Sequence, residues 1–264
     1  MKTAEGFVLL AIDGAGTYHA RFLNERMNRM FSGSLVALVT PMSAQGAVDF
    51  ESLEKLVEFH VENGSGGLVV AGTTGESSTL EKSEHVDVIS AVAKFAHGRI
   101  PIIAGTGSNS TAQTVELSKE AGRLPIDAYL VVTPYYNKPT QEGLFQHFTA
   151  IADAVEKPIM LYNVPGRTVA DLLPDTVARL AEHPQIFGIK EATGNLQRME
   201  EIKELCGTDF KLYSGDDPTG CEFMLQGGAG VVSVTANVVP RQMADMCNAA
   251  IAGDRDNAQR IDSA

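Results

Sequence analysis

At 264 residues, with 44% apolar and 20% charged side chains, the chain has the length and composition of one large globular domain, and no charge block or Ser/Pro-rich linker divides it. A formal charge of −12 and a pI near 4.9 argue against DNA or RNA as a partner, because that binding rests on Lys and Arg neutralising phosphates. Mean hydropathy near zero and the shortness of the apolar run from Phe7 to Ile12 argue against a membrane span or a secretion signal and predict a cytoplasmic protein.

The first 29 residues show weak periodicity and no strand partner, and are expected to form a peripheral extension. From Gly33 onward, short β-branched runs alternate with amphipathic stretches, the pattern of repeated β-α units on a parallel sheet. Strands are predicted at 34–39, 67–71, 101–104, 128–132, 158–162, 186–190, 211–214 and 230–234, each followed by a helical pattern. In the first helix Leu53, Leu56, Val57 and Val61 recur at helical spacing, while Glu51, Glu54, Lys55 and Glu58 take the other face. That helix is expected to stop at Asn63-Gly64, with similar stops at His97-Gly98, Ala121-Gly122 and Gly227-Gly228, where glycine can adopt the left-handed conformation. Eight such units fit a closed (β/α)8 TIM barrel, for which about 250 residues is typical. An open doubly wound sheet is disfavoured, because Thr40-Pro41-Met42 stands where a Gly-x-Gly-x-x-Gly turn would follow the first strand.

In such a barrel the active site lies at the carboxyl ends of the strands. Lys190 is the sharpest feature there, since it ends the apolar run Ile186-Phe187-Gly188-Ile189 and should point into the barrel mouth. Desolvation lowers a lysine's pKa and yields the neutral amine that attacks a ketone; the alternative is a buried ion pair with a carboxylate such as Glu191. Tyr162, one strand over, could relay protons, or be a rim aromatic whose hydroxyl meets water. The Gly72-Thr-Thr-Gly75 loop offers amides and hydroxyls suited to a small carboxylate.

None of the histidines, at 19, 60, 85, 97, 147 and 183, falls at a strand end or at metal-ligand spacing with another, so no metal site is predicted. Cys206, Cys221 and Cys247 carry no Cys-x-x-Cys spacing and imply neither a disulfide framework nor a zinc knuckle. Asp216 and Asp217 occupy the region after strand seven where many barrels bind phosphate, which argues for a substrate without one.

Five segments together resemble the pyruvate-dependent class I aldolases of the dihydrodipicolinate synthase and N-acetylneuraminate lyase family. They are Gly72-Thr-Thr-Gly-Glu-Ser77, Val132-Thr-Pro-Tyr-Tyr-Asn137, Leu161-Tyr-Asn-Val-Pro-Gly-Arg-Thr168, Gly188-Ile-Lys-Glu-Ala-Thr-Gly194 and Ser214-Gly-Asp-Asp217. The resemblance implies a lyase in which pyruvate forms an imine on Lys190 and the derived enamine attacks L-aspartate 4-semialdehyde, on the diaminopimelate route to lysine. It implies no external cofactor. Carried over by position, Tyr162 is the proton relay, Thr73 links it to a second tyrosine, and Tyr136 completes the relay from a neighbouring subunit, so that a dimer or tetramer is expected. Thr74, Gly215 and Val232 would help hold pyruvate, and Arg167 would meet the semialdehyde carboxylate. Arg167 and the Tyr135-Tyr136 pair favour the synthase branch over the neuraminate-cleaving one.

Three departures bear on that transfer. The family's barrel is normally followed by a helical carboxyl-terminal domain, whereas the residues after 253 are expected to supply only the start of one. In lysine-inhibited relatives the effector site uses positions corresponding to Ser77, Ser78, Lys82, His85, Asn109, Gln113 and Tyr135, and the amide of Gln113 replaces a frequent carboxylate, which should weaken the effector. Arg123-Leu124-Pro125 replaces small residues before strand four. Alternatives to the synthase are another aldolase specificity on the same lysine chemistry and a catalytically silent barrel that binds keto acids.

Overall fold

A computed structural model describes residues 31–264; the predicted extension at 1–29 lies outside the described residues. Eight parallel strands close on themselves in chain order: β1 (Gly33–Ala37), β2 (Gly67–Val70), β3 (Ile102–Gly105), β4 (Ala128–Val132), β5 (Ile159–Asn163), β6 (Ile186–Glu191), β7 (Lys211–Ser214) and β8 (Gly230–Ser233). β8 returns to β1 with Leu35 opposite Val232. The closed barrel replaces the open-sheet alternative, and each strand lies within two residues of its predicted bounds.

The helices that wrap it are α1 (Phe50–Glu62), α2 (Lys82–Ala96), α3 (Thr111–Ala121), α4 (Gln141–Ala152), the single turn α5 (Pro165–Thr168), α6 (Pro174–Ala181), α7 (Leu196–Cys206), α8 (Asp217–Leu225) and α9 (Pro240–Ile251). A last helix, α10 (Arg255–Asp262), buries Ala258 against α8 and α9. α1 starts where the Asp49 carboxylate accepts from the Ser52 amide at 3.0 Å, satisfying an otherwise free donor of the first turn. Its inner face buries Leu53 and Val57 and also His60.

Alternation along each strand divides the core in two. Leu35, Val69, Ile103, Leu130, Met160, Phe187, Tyr213 and Val232 fill the barrel interior. Val36, Leu68, Ile102, Val131, Leu161 and Ile189 face the helical layer. The interior is therefore a packed plug, and only the mouth at the strands' carboxyl ends is open to chemistry.

Helix stops depart from expectation at one point. Gly64 and Gly98 are left-handed, with φ of 77° and 69°, but Gly122 is right-handed at φ −63°. A Cβ there would collide with the Tyr129 hydroxyl, so this glycine serves space rather than backbone handedness. At the fourth stop Gly227 is left-handed and Gly228 is not.

Candidate active site

β6 carries Lys190 into the mouth, where it is 5% exposed. Its register partner on β5 is Tyr162, and the ammonium lies 4.1 Å from the centroid of the tyrosine ring. Burial pushes the Lys190 pKa down to about 8; the nearby Asp217 carboxylate opposes that shift and the Arg167 guanidinium adds to it. A fall from 10.5 to about 8 corresponds to about 3 kcal/mol against the charged form. A ring contact with a cation is worth about 0.5–2 kcal/mol in the other direction, so desolvation wins and an appreciable share of the amine is neutral near neutral pH.

The ion pair with Glu191 does not form. Glu191 follows Lys190 on the strand and therefore faces the opposite side, where it accepts from Asn163 at 3.0 Å and from the Thr193 amide at 2.8 Å. No protein carboxylate bonds the Lys190 ammonium among the described residues.

Tyr162 is buried, which raises its pKa, while the neighbouring Thr73 side chain and the charge of Arg167 lower it. Thr73 is thus the hydroxyl neighbour towards which a proton on Tyr162 could move. The turn that carries Thr73 follows β2, with Ser77 N–H donating to Gly72 O at 3.2 Å and Glu76 N–H to Thr73 O at 3.1 Å. The amides of Thr73 and Thr74 have no protein acceptor among the described residues, leaving two donors for a small anion.

Gly215 follows β7 and packs on the lysine stem. A Cβ there would stand 2.7 Å from Lys190 Cε and 2.7 Å from Ala192 Cβ, so only glycine leaves the stem in place. Val232 is buried in the barrel interior. Arg167, on α5, is exposed and forms no ion pair among the described residues. Tyr136 is 87% exposed.

Beside this centre opens a cavity of about 580 Å³ that Thr73, Ser77, Ser78, Lys82, His85, Gln113, Tyr135 and Arg167 help to line. Lys190 is not among the residues that line it. Of the predicted effector positions the cavity gathers six and leaves out Asn109, whose carbonyl instead accepts from Asn137 at 3.0 Å. Glu116 also lines the cavity and pairs with Lys82 at 2.6 Å, a contact between α2 and α3 that no local motif marks. The tight turns here are strained: Ala71, Glu76, Tyr136, Lys138 and Val169 all have positive φ, between 44° and 74°, a conformation that side chains rarely adopt outside functional loops.

After β7 the two aspartates act as structural caps. Asp216 accepts from the Thr219 amide at the start of α8, and Asp217 accepts from the amides of Val234 and Thr235 at 2.9 Å each. They occupy the donors that a phosphate would use. Among the described residues no three His, Cys, Asp or Glu side chains gather as metal ligands would; burial lowers the pKa of His60 and His147 to about 4, and His85 bonds Gly105 O at 2.7 Å. Cys206, Cys221 and Cys247 are free thiols.

The model of the dihydrodipicolinate synthetase family matches residues 30–264. The chain belongs to that family. A 4-hydroxy-tetrahydrodipicolinate synthase from Pseudomonas savastanoi pv. phaseolicola is 60% identical over 232 residues, covering 88% of this chain and 80% of the relative. The crystal structure of a chloride-inhibited dihydrodipicolinate synthase from Acinetobacter baumannii, complexed with pyruvate, superposes with a TM-score of 0.87 at 54% identity, over 88% of this chain and 80% of that one. A synthase from Cyanidioschyzon merolae with lysine bound gives a TM-score of 0.86 at 41% identity, over 89% and 80%. The chain is an enzyme of this family, and its barrel is the family's barrel.

Proposed function

We propose that this chain condenses pyruvate with L-aspartate 4-semialdehyde, the activity of a 4-hydroxy-tetrahydrodipicolinate synthase. The observation that carries the reading is Lys190, a desolvated and unpaired amine at the mouth of a barrel whose relatives bear that name. The neutral amine attacks the ketone carbon, water leaves, and an iminium forms. Loss of a methyl proton gives the enamine, whose carbon attacks the aldehyde. Attack of the product's own amine on the imine carbon then releases Lys190 for another cycle. The iminium nitrogen is the electron sink, so no external cofactor is required.

Each proton transfer falls to Tyr162, through Thr73. Tyr136 completes that relay from a second copy of the chain, which its 87% exposure and left-handed backbone (φ 74°) favour; the working unit is a homo-oligomer, a dimer or tetramer in the cytoplasm. Thr74 and Gly215 hold the pyruvate carboxylate, and the Val232 side chain packs beneath it. Arg167 takes the semialdehyde carboxylate as a free guanidinium fork.

The neighbouring cavity, with Ser77, Ser78, Lys82, His85, Gln113 and Tyr135, is the place for lysine as an effector, and the relative solved with lysine bound supports it. Gln113 brings no charge to the ligand's ammonium and Glu116 is already engaged by Lys82, so inhibition is weak. The test is a substrate comparison. Condensation with the semialdehyde and no cleavage of N-acetylneuraminate is expected; preference for another aldehyde would move the chain to a different specificity, and folded protein without turnover would make it a silent barrel.

A further inference from the structure

Among the described residues, Lys190 and Glu191 are the only buried Lys, Arg, Asp or Glu side chains. They are consecutive and lie on opposite faces of β6. The same holds one strand over: Tyr162 faces the mouth and Asn163 faces outward, with Tyr162 opposite Lys190 and Asn163 opposite Glu191 in the ladder. Behind the reacting pair there is thus a polar pair, against a layer packed mainly with aliphatic and aromatic side chains.

The polar pair is fully engaged. The Asn163 amide donates to Glu191 Oε2 at 3.0 Å and to Asp171 Oδ1 at 2.9 Å, and its oxygen accepts from the Leu172 amide at 3.0 Å. Arg198, from α7, grips the Asp171 carboxylate with two nitrogens, at 2.6 and 3.0 Å. The Glu191 backbone carbonyl accepts from the Gly215 amide at 2.7 Å. A buried carboxylate costs more than an aliphatic side chain would at the same place, and one orphaned member would cost more again. Such an arrangement stiffens whatever it touches, and it touches the strand ends of Tyr162 and Lys190, the glycine under the lysine stem, and the segment that runs from Arg167 to Leu172.

We infer that Asn163, Asp171, Glu191 and Arg198 form a positioning network that fixes Lys190 and Tyr162 from behind and ties them to the loop bearing Arg167. This rests on the Schiff-base reading above. Glu191 governs the strand side: it sets the Lys190 rotation and, through its carbonyl, the approach of Gly215. Arg198 governs the loop side, because without its grip the Asp171 carboxylate keeps only the Asn163 amide as a partner, and the segment that leads back to Arg167 is held less firmly. Asn163 joins the two halves.

The two sides can be separated by measurement. In Glu191→Gln one of the two acceptors, towards the Asn163 amide or towards the Thr193 N–H, becomes a donor facing a donor, and the rate of borohydride trapping with pyruvate should fall about tenfold or more, as misplacement by a fraction of an ångström does. In Arg198→Met trapping should stay near the wild-type rate while KM for the semialdehyde rises about tenfold, and Arg198→Lys should recover part of the loss. Melting temperatures taken alongside identify folded protein, and rates are expressed per trapped site so that unfolded molecules do not count. Variants that lose only thermal stability, with wild-type trapping rate and KM per site, overturn the network. Wild-type protein runs in parallel: no adduct there would overturn the Schiff-base reading as well, whereas a normal wild-type adduct with unaltered variants overturns the network alone.

Discussion

The barrel mouth contains two kinds of residue. Lys190 and Tyr162 are each 5% exposed and stand on strands whose ladder fixes their spacing. Thr73, Arg167 and Tyr136 stand on exposed turns, in a ring of loops that holds five non-glycine residues in the left-handed region. On the proposed reading reactivity belongs to the first set, because removal from water is what lowers the amine's pKa. On the same reading recognition belongs to Arg167 and the backbone amides of the Thr73 turn, because a free guanidinium and unpaired amides keep their value only where a substrate can reach them, while the Thr73 and Tyr136 hydroxyls extend the relay outward. The division teaches that the strand residues should be intolerant of any change, while Arg167 should change affinity and leave the chemistry standing.

Substitutions can set the two classes against each other. Lys190→Ala should abolish pyruvate trapping while the far-ultraviolet circular dichroism stays that of the wild type. Tyr162→Phe removes the proton relay and should lower kcat about 10²–10⁴-fold, with imine formation slowed as well. For Gly215→Ala the added Cβ meets Lys190 Cε at 2.7 Å, and a displaced stem should lower kcat about 100-fold; a wild-type rate would show that the stem has room to move. Arg167→Ala should mainly raise KM for the semialdehyde, by about ten- to a hundredfold for a lost charge-assisted contact, with pyruvate trapping unchanged. An equal effect of Arg167→Ala on trapping would erase the division between strand and loop.

The strand residues were also the more legible in the sequence. A lysine at the end of an uninterrupted apolar run announces a buried amine, and the alternation of β-branched runs with amphipathic helices announces the barrel. Gly122 was less legible, since a glycine after a helix suggests handedness and nothing local reveals the Tyr129 hydroxyl that needs the space. The network behind the site was the least legible. Asn163, Asp171, Glu191 and Arg198 come from four separate segments, and only the packing of β5, β6 and α7 brings them within bonding distance. Glu116 carries no local signal for the same reason, being joined to Lys82 across 34 residues of sequence.

The most direct measurement of the central claim is borohydride trapping of pyruvate as a function of pH, with the modified peptide mapped by mass spectrometry. The folded-state pKa of Lys190 is lowered, so the reactive neutral fraction grows as pH rises through about 8, well below the 10.5 of an ordinary lysine. The expected result is one reduced pyruvate adduct on the peptide that carries Lys190, formed at a rate that rises through about pH 8 and then levels. An adduct on another lysine, or no adduct in well-folded protein across that range, would contradict it.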